Sequence, residues 1–453
     1  MKKTVKVLKS AKKELKSPNF RIEGGKRLSG EIIVRTSKNG ALGVMCASLI
    51  NKNITTIKNV PKIEEVFRIA EILESIGVKI EWSRNDMIIT PPKKILIEKI
   101  NEQVADQMNK TRGGIMFIGP LIHKFNNFKI PQPAGCKLGS RTVKPYFYAL
   151  DKMGIKIETE SDCYKVSHKG LNASEIILYE AGDTVTETVL MVAAGIDGKT
   201  VIKFASANYQ VQDVCYYLQL LGIKIEGIGT STLTVYGKKE IDIPVEYALS
   251  EDPIEAMSLI ATAIVTRSSI TIKRCSIDFL ELELLKLEKM GFRYEILKEY
   301  KALNGKTNLV DIKTYPSNLI ALEEKIHALP YPGINMDNLP FFAIIGAVAE
   351  GQTFIHDWVY EERAIYYKEL DKLGTDTILA DPYRFYIKGP TKFRANEIVC
   401  PPALRPAMII MIAMLACPGV SILRGVYNIN RGYEDLAERL NKLGAKIETF
   451  SDK

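Results

Sequence analysis

Leu150-Asp-Lys-Met-Gly154-Ile-Lys-Ile-Glu158 reads as the end of a helix turning into a strand. Leu150 and Met153 lie three apart and share a helix face, Gly154 suits the left-handed position past a helix end, and the alternation after it suits a half-buried strand. The phrase returns around Leu73 and Gly77, Leu218 and Gly222, Leu287 and Gly291, Leu370 and Gly374, and Leu440 and Gly444, so one helix-to-strand unit is used six times. Its Gly-to-Gly spacings of 77, 68, 69, 83 and 70 residues exceed the roughly 20 to 50 residue periods of solenoids and propellers. The units are therefore small folding modules.

Before most copies lies a helix rich in small apolar residues, then a turn and a strand, as in Met191-Val-Ala-Ala followed by Lys199-Thr-Val-Ile-Lys. Strands mixed with short helices at this density predict an α/β or α+β architecture with helices packed on sheets. A chain of 453 residues passes the roughly 250 to 300 residues at which single cores stop growing, so two domains of three units each are expected. Pro244 to Pro253 separates the third unit from the fourth, which places the crossing near residue 250, with a ligand cleft between the domains.

Composition narrows the function classes. With 46% hydrophobic and 25% charged residues, the chain is composed as an ordinary globular protein. Its longest apolar stretch, Pro406 to Cys417, is too short for the roughly 20 residues of a membrane span and reads as a buried helix. Seven scattered cysteines, with no Cys-x-x-Cys pair, argue against a disulfide framework and a zinc ribbon and suit a reducing cytoplasm. Met1 to Lys16 carries seven lysines without a continuous apolar segment, so residues 1–17 are expected to form a mobile basic tail and not a secretory signal. The net charge of +9 comes from lysines spread among glutamates, the pattern of a solvated surface more than of a nucleic-acid interface; small anionic substrates suit it better.

No phosphate loop, dinucleotide fingerprint or metal-binding histidine pair is present, and the four histidines are far apart, so no metal or cofactor is expected. Chemistry must rest on Arg, Lys, Asp and one Cys. Cys136 sits in a loop of two prolines and two glycines with Lys137 and Arg141 close in sequence; cations lower a thiol's pKa, so it is either a reactive thiol or a structural one. Arg112, Arg363, Arg405 and Arg431 stand beside turn or helix-start signals. Guanidinium forks bind carboxylate and phosphate in bidentate fashion, so several converging ones would suit a ligand carrying both groups, whereas any one alone reads as a surface ion pair. Asp252 and Asp337 are the acidic candidates; for Asp337 a helix N-cap and a general base are both open.

Arg35-Thr-Ser-Lys-Asn-Gly-Ala-Leu, Thr111-Arg-Gly-Gly, the Cys136 to Arg141 loop, Met336-Asp-Asn, Glu361-Glu-Arg363, Leu404-Arg405 and Asn430-Arg-Gly-Tyr-Glu434 resemble, in order, the motifs of the UDP-N-acetylglucosamine 1-carboxyvinyltransferase family of enolpyruvyl transferases. The resemblance runs from about residue 20 to the C-terminus. It implies a two-domain inside-out α/β barrel, each domain three βαβαββ repeats, with one domain at 37–250 and the other formed by 18–36 and 251–453. It also implies transfer of the enolpyruvyl group of phosphoenolpyruvate to a sugar hydroxyl with release of phosphate. By resemblance Lys38, Asn39, Arg141, Arg405 and Arg431 would serve the donor. Cys136 would protonate the donor's methylene carbon and Asp337 would take the hydroxyl proton. Arg112, Arg141, Thr142, Val143, Asp337, Val359 and Arg363 would face the acceptor.

The departures from the family pattern gather on the acceptor side. Lys144 stands for an acid, Glu64 for a Lys, the Asn208 segment for Glu-Pro-Glu, and Ala403 for an Asp, while Glu180 and Asp183 lie where a diphosphate is expected. Two other readings therefore stand beside the first: enolpyruvyl transfer to another nucleotide or nucleotide-sugar hydroxyl, and a non-catalytic ligand-binding homologue.

Overall fold

The computed structural model describes residues 18–98, 112–132 and 142–451, the side chain of Arg112 excepted. The proposed basic tail at 1–17, Cys136 and Arg141 lie outside the described residues.

All six repeat glycines, Gly77, Gly154, Gly222, Gly291, Gly374 and Gly444, have φ between +83° and +98°, the left-handed conformation that a Cβ disfavours. Each ends a helix, and each is followed by a strand, as in Lys144–Asp151 with Ile155–Thr159 and Glu64–Ser75 with Lys79–Ser83. In the fifth copy the preceding helix, Ala364–Leu373, is wound as a 3-10 helix. Among the described residues the modules yield six small sheets of three to five strands.

Two separate hydrophobic cores form. One gathers residues between Ala41 and Leu249; the other gathers Phe20 to Val34 and Tyr209 with residues from Ile254 to Ile447. The N-terminal strands explain the second set. Asn19–Gly24 pairs antiparallel with Gly419–Arg424 and with Ile447–Phe450, and Ser29–Ile33 pairs parallel with Ser269–Ser276. The chain crosses between cores twice, side by side: Ser37 N donates to Ser250 O and Asp252 N to Arg35 O. On these cores we place a first domain at 37–250 and a second at 18–36 with 251–453. Between Pro244 and Pro253, Val245–Ala248 joins a sheet beside Thr55–Lys58, and Pro253 starts a helix at a position needing no N–H donor.

The helices face inward. Pro253–Val265, Leu339–Gly346 and Leu404–Ala416 pack on one another, and the last accounts for the apolar stretch at Pro406. Among the described residues no helix is long and apolar enough to cross a membrane. In the first domain the Lys38–Ala47 helix packs on Tyr209–Leu220, and glycines allow the approach. A Cβ at Gly40 would lie 2.2 Å from Asp213 Oδ2, and one at Gly43 would lie 2.9 Å from Glu187 Oε1.

Asp213 and Glu187 are both wholly buried beneath this helix. Asp213 Oδ1 accepts from Tyr247 OH at 2.5 Å, Ser250 Oγ at 2.8 Å and Ser250 N at 3.1 Å. Among the described residues its Oδ2, like Glu187 Oε2, has no hydrogen-bond partner. Burial raises both carboxyl groups, Asp213 to about 7 and Glu187 well above its ordinary range. For such groups the neutral form is favoured in the fold, so their stability contribution is complete at acid pH and declines as pH rises towards the folded pKa. For Asp213 the window runs from the ordinary carboxylate range to about pH 7, at roughly 1.4 kcal/mol per pH unit. Asp213→Asn keeps the Oδ1 acceptor and removes the titration; in urea melts between pH 5 and 7 its stability should fall by that much less per unit than the wild type's. Equal slopes would contradict the assignment.

Candidate active site

The Lys38–Ala47 helix opens at the boundary between the domains. Ser37 caps it, accepting from Gly40 N at 2.9 Å, and Lys38 and Asn39 stand in its first turn. A cation at the positive end of a helix dipole is unfavourable unless an anion lies close. That anion is Glu65, from the first turn of Glu64–Ser75, whose Oε2 pairs with Lys38 Nζ. The other oxygen of Glu65 lies 3.9 Å from Arg431 Nη1 of the second domain. Burial alone would raise the Glu65 pKa, but Lys38, Arg431 and Arg68 outweigh it and hold the group ionised below its ordinary value. Arg68 reaches the second domain too, donating to Tyr427 OH. Asn39 Nδ2 donates to Tyr209 OH at 3.1 Å, and the Tyr209 ring packs edge-on against Phe279 of the second domain, centroids 5.7 Å apart.

Asp337 meets this group from the second domain. Its Oδ2 accepts from Arg405 Nη2 at 3.2 Å and Nε at 3.3 Å, and its Oδ1 lies 3.7 Å from Arg363 Nη1. Burial would raise its pKa; Arg405, Arg363 and Lys38 together pull it below the ordinary carboxylate range. Asp337 is not the N-cap that its turn context allows: the cap position of Leu339–Gly346 is Asn338. The loop carrying Asp337 is fixed by Glu283, whose Oε1 accepts from Asn335 N at 3.1 Å and Asn338 Nδ2 at 2.9 Å. Asp252 does cap a helix, accepting from Ile254 N at 2.8 Å and Glu255 N at 3.3 Å.

The arginines are held by partners that motif reading did not pick out. Arg405 donates to Tyr433 OH at 2.7 Å. Arg363 is forked onto Asp357 at 2.6 and 2.7 Å, and donates to Met336 O at 2.7 Å. Arg431 is held less tightly, and among the described residues its buried Nε has no hydrogen-bond partner.

Lys38, Asn39, Asp337, Arg363, Arg405 and Arg431 thus converge. Of the other acceptor candidates, Thr142 is exposed and accepts from Lys144 N at 3.2 Å, Val143 packs on the first core and Val359 on the second, while Arg141 and the Arg112 side chain lie outside the described residues. Asp183, at the head of Asp183–Ala194, accepts from Ser206 Oγ at 2.5 Å and Asn208 Nδ2 at 3.1 Å. Burial raises its pKa, the Ser206 and Asn208 hydrogen bonds oppose that rise, and the Asp337 charge adds a smaller upward push. Glu64, Lys144 and Glu180 are exposed, and Ala403 leaves the Leu404–Ala416 helix without a side-chain cap. The six described cysteines are unpaired and buried, and burial raises their thiols, Cys163 to about 11. Among the described residues no group of three or more His, Cys, Asp or Glu could hold a metal ion.

Two inward-helix domains closing on a cation-lined boundary define an enolpyruvyl transferase fold, and the comparisons agree. The EPSP synthase (3-phosphoshikimate 1-carboxyvinyltransferase) family model matches residues 22–440, and the chain belongs to this family of carboxyvinyltransferases. Among its relatives, UDP-N-acetylglucosamine 1-carboxyvinyltransferase of Treponema denticola is 32% identical over 94% of this chain and 98% of its own length. The protein of the same name from Thermodesulfovibrio yellowstonii is 31% identical, again over 94% and 98%. The enolpyruvyl transferase NikO from Streptomyces tendae superposes with a TM-score of 0.82 at 23% identity, covering 97% of this chain and all of that one. EPSP synthase from Acinetobacter baumannii gives 0.76 at 18%, covering 96% and 100%.

Proposed function

We propose that the protein transfers the enolpyruvyl group of phosphoenolpyruvate to the 3-hydroxyl of UDP-N-acetylglucosamine with release of phosphate, in the cytoplasm, as the first committed step of peptidoglycan precursor synthesis. The observation that carries the reading is a set of cations around two carboxylates at the domain boundary: Arg405, Arg363 and Lys38 act on Asp337, and Lys38 and Arg431 flank Glu65. Such a set would bind a donor bearing carboxylate and phosphate and neutralise the departing phosphate. The named relatives, nearly co-extensive with this chain, support UDP-N-acetylglucosamine as the acceptor. In this mechanism protonation of the methylene carbon, assigned by resemblance to Cys136, builds cationic character at the neighbouring carbon. The acceptor hydroxyl attacks that carbon as Asp337 takes its proton. Closure of the domains would keep water from the intermediate.

A hydroxyl on another nucleotide or nucleotide sugar is the second reading. It is favoured by one observation: Asp183, which by the sequence resemblance lies where a diphosphate is expected, is a carboxyl group on which the Asp337 charge also acts, and a second anion there would be repelled. Phosphate release from phosphoenolpyruvate, measured with UDP-N-acetylglucosamine, UMP or UDP, decides. Release is expected with UDP-N-acetylglucosamine. Release only with UMP or UDP would replace the first reading by the second, and binding without release to any would make the protein a non-catalytic binder.

A further inference from the structure

Glu65 stands where two elements of different domains bring their charges together. Lys38 and Glu65 belong to the first domain, on two different helices, and Arg431 follows the short Tyr427–Asn430 helix of the second. The Glu65 carboxylate pairs with Lys38 through one oxygen and faces Arg431 through the other. All three side chains are largely shielded from solvent, at 14%, 13% and 21% exposure, so the charges act through a medium of low dielectric. The positive end of the Lys38–Ala47 helix and the Arg68 guanidinium add to the field drawing an anion to this point. Arg68 also bonds Tyr427, on the short helix that leads into Arg431. Glu64, the adjacent acid, is turned instead to Arg68, at 3.3 Å.

An anion placed between two cations does two things at once. It draws the domains together, and it competes with any other anion for the same donors. The Glu65 contact to Arg431, at 3.9 Å, is the weaker of its two, and among the described residues the buried Nε of Arg431 has no hydrogen-bond partner. A ligand anion could therefore take Arg431 first and Lys38 second, with Glu65 withdrawing stepwise.

We infer that Glu65 is a positioning residue, an internal counter-ion that bridges Lys38 and Arg431 across the domain boundary and yields them to the anionic donor. This rests on the proposed donor site but not on the choice of acceptor. It couples donor affinity to domain closure, because the Glu65 contact with Arg431 that the donor displaces is one of those that cross the domain boundary.

The test uses the full-length protein and inorganic phosphate as the probe, by titration calorimetry at neutral pH without acceptor. Glu65→Gln keeps the shape and removes the charge; it should bind phosphate on the order of ten-fold more tightly, the size of an ordinary coupling between sites, with a matching fall in KM for phosphoenolpyruvate. Small-angle scattering should show donor-free Glu65→Gln as more expanded than wild type, with phosphate restoring compactness. Glu65→Asp, which keeps the charge but withdraws it from Arg431, should move both readouts in the same direction by less. A residue that only supported the fold would give unchanged or weaker phosphate binding in a folded Glu65→Gln, and that result overturns the inference. If Glu65→Gln does not fold, Glu65→Asp with no gain in phosphate affinity does the same. Tighter phosphate binding without turnover on UDP-N-acetylglucosamine would remove the acceptor reading and leave the counter-ion in place.

Discussion

Asp337→Asn is expected to lower kcat by ~10² to 10⁴, the usual contribution of a positioned general base, while leaving phosphate affinity within a few-fold of wild type. The substitution preserves shape. It keeps an oxygen for Arg405, which also retains Tyr433 OH, and Arg363 retains its fork on Asp357. What it removes is the capacity to accept a proton. Asp337 is held below the ordinary carboxylate range because Arg405, Arg363 and Lys38 outweigh its burial, so it is a carboxylate throughout the neutral range. The sign follows: with a depressed pKa, the acid limb that this group imposes on kcat falls below the range of an unperturbed aspartate. The same cations that ionise Asp337 weaken it as a base, so it suits a hydroxyl that becomes acidic only as it attacks a carbon gaining positive charge. Steady-state kinetics of Asp337→Asn with a phosphate titration check this; a kcat within three-fold of wild type would remove Asp337 as the base.

The fold was largely legible because its signals are local. A left-handed Gly, two apolar residues three apart and a period-two strand each depend on a handful of neighbours, and all six glycines adopt the conformation read from them. The class of enzyme was legible for a different reason: charged residues in fixed phrases such as Met336-Asp-Asn and Asn430-Arg-Gly resemble family motifs. What escaped were the partners of those residues that lie outside the motifs. Glu65 sits beside Glu64 in a first helical turn, where acids are expected simply to favour the helix dipole. Glu283 lies in the charge-rich helix Glu281–Lys289, and nothing in its neighbourhood says that it anchors a loop more than 50 residues on, through Asn335 and Asn338. Tyr209 reads as a helix residue of the first domain, yet it packs into the second core. Such contacts are set by how segments distant in sequence, or the two domains, meet, which no local pattern encodes.

Asp357 is the case where a missed partner carries the largest stability effect. It follows the Ala349–His356 strand, is fully buried, and takes both forks of Arg363 together with Tyr367 OH at 2.5 Å. Arg363, 1% exposed, stacks its guanidinium 4.2 Å from the Tyr360 ring centroid and donates to Met336 O, next to Asp337. Asp357→Ala would leave that cation buried with only the more distant Asp337 as a counter-charge, which should cost about 3–5 kcal/mol. For a domain of this size the melting temperature should fall by on the order of 10 °C. A sum-of-contacts view predicts that removing Arg363 as well makes matters worse. Desolvation predicts the opposite: in Asp357→Leu with Arg363→Met no charge is left unpaired, and apolar replacement of a buried pair is often neutral or stabilising. The double variant should therefore melt above Asp357→Ala. It should still lose activity, because Met336 and Asp337 lose the guanidinium that orients their loop. Thermal melts and turnover on the two variants separate these effects; an Asp357→Ala protein melting within two degrees of wild type would show that Asp357 is not what stabilises Arg363.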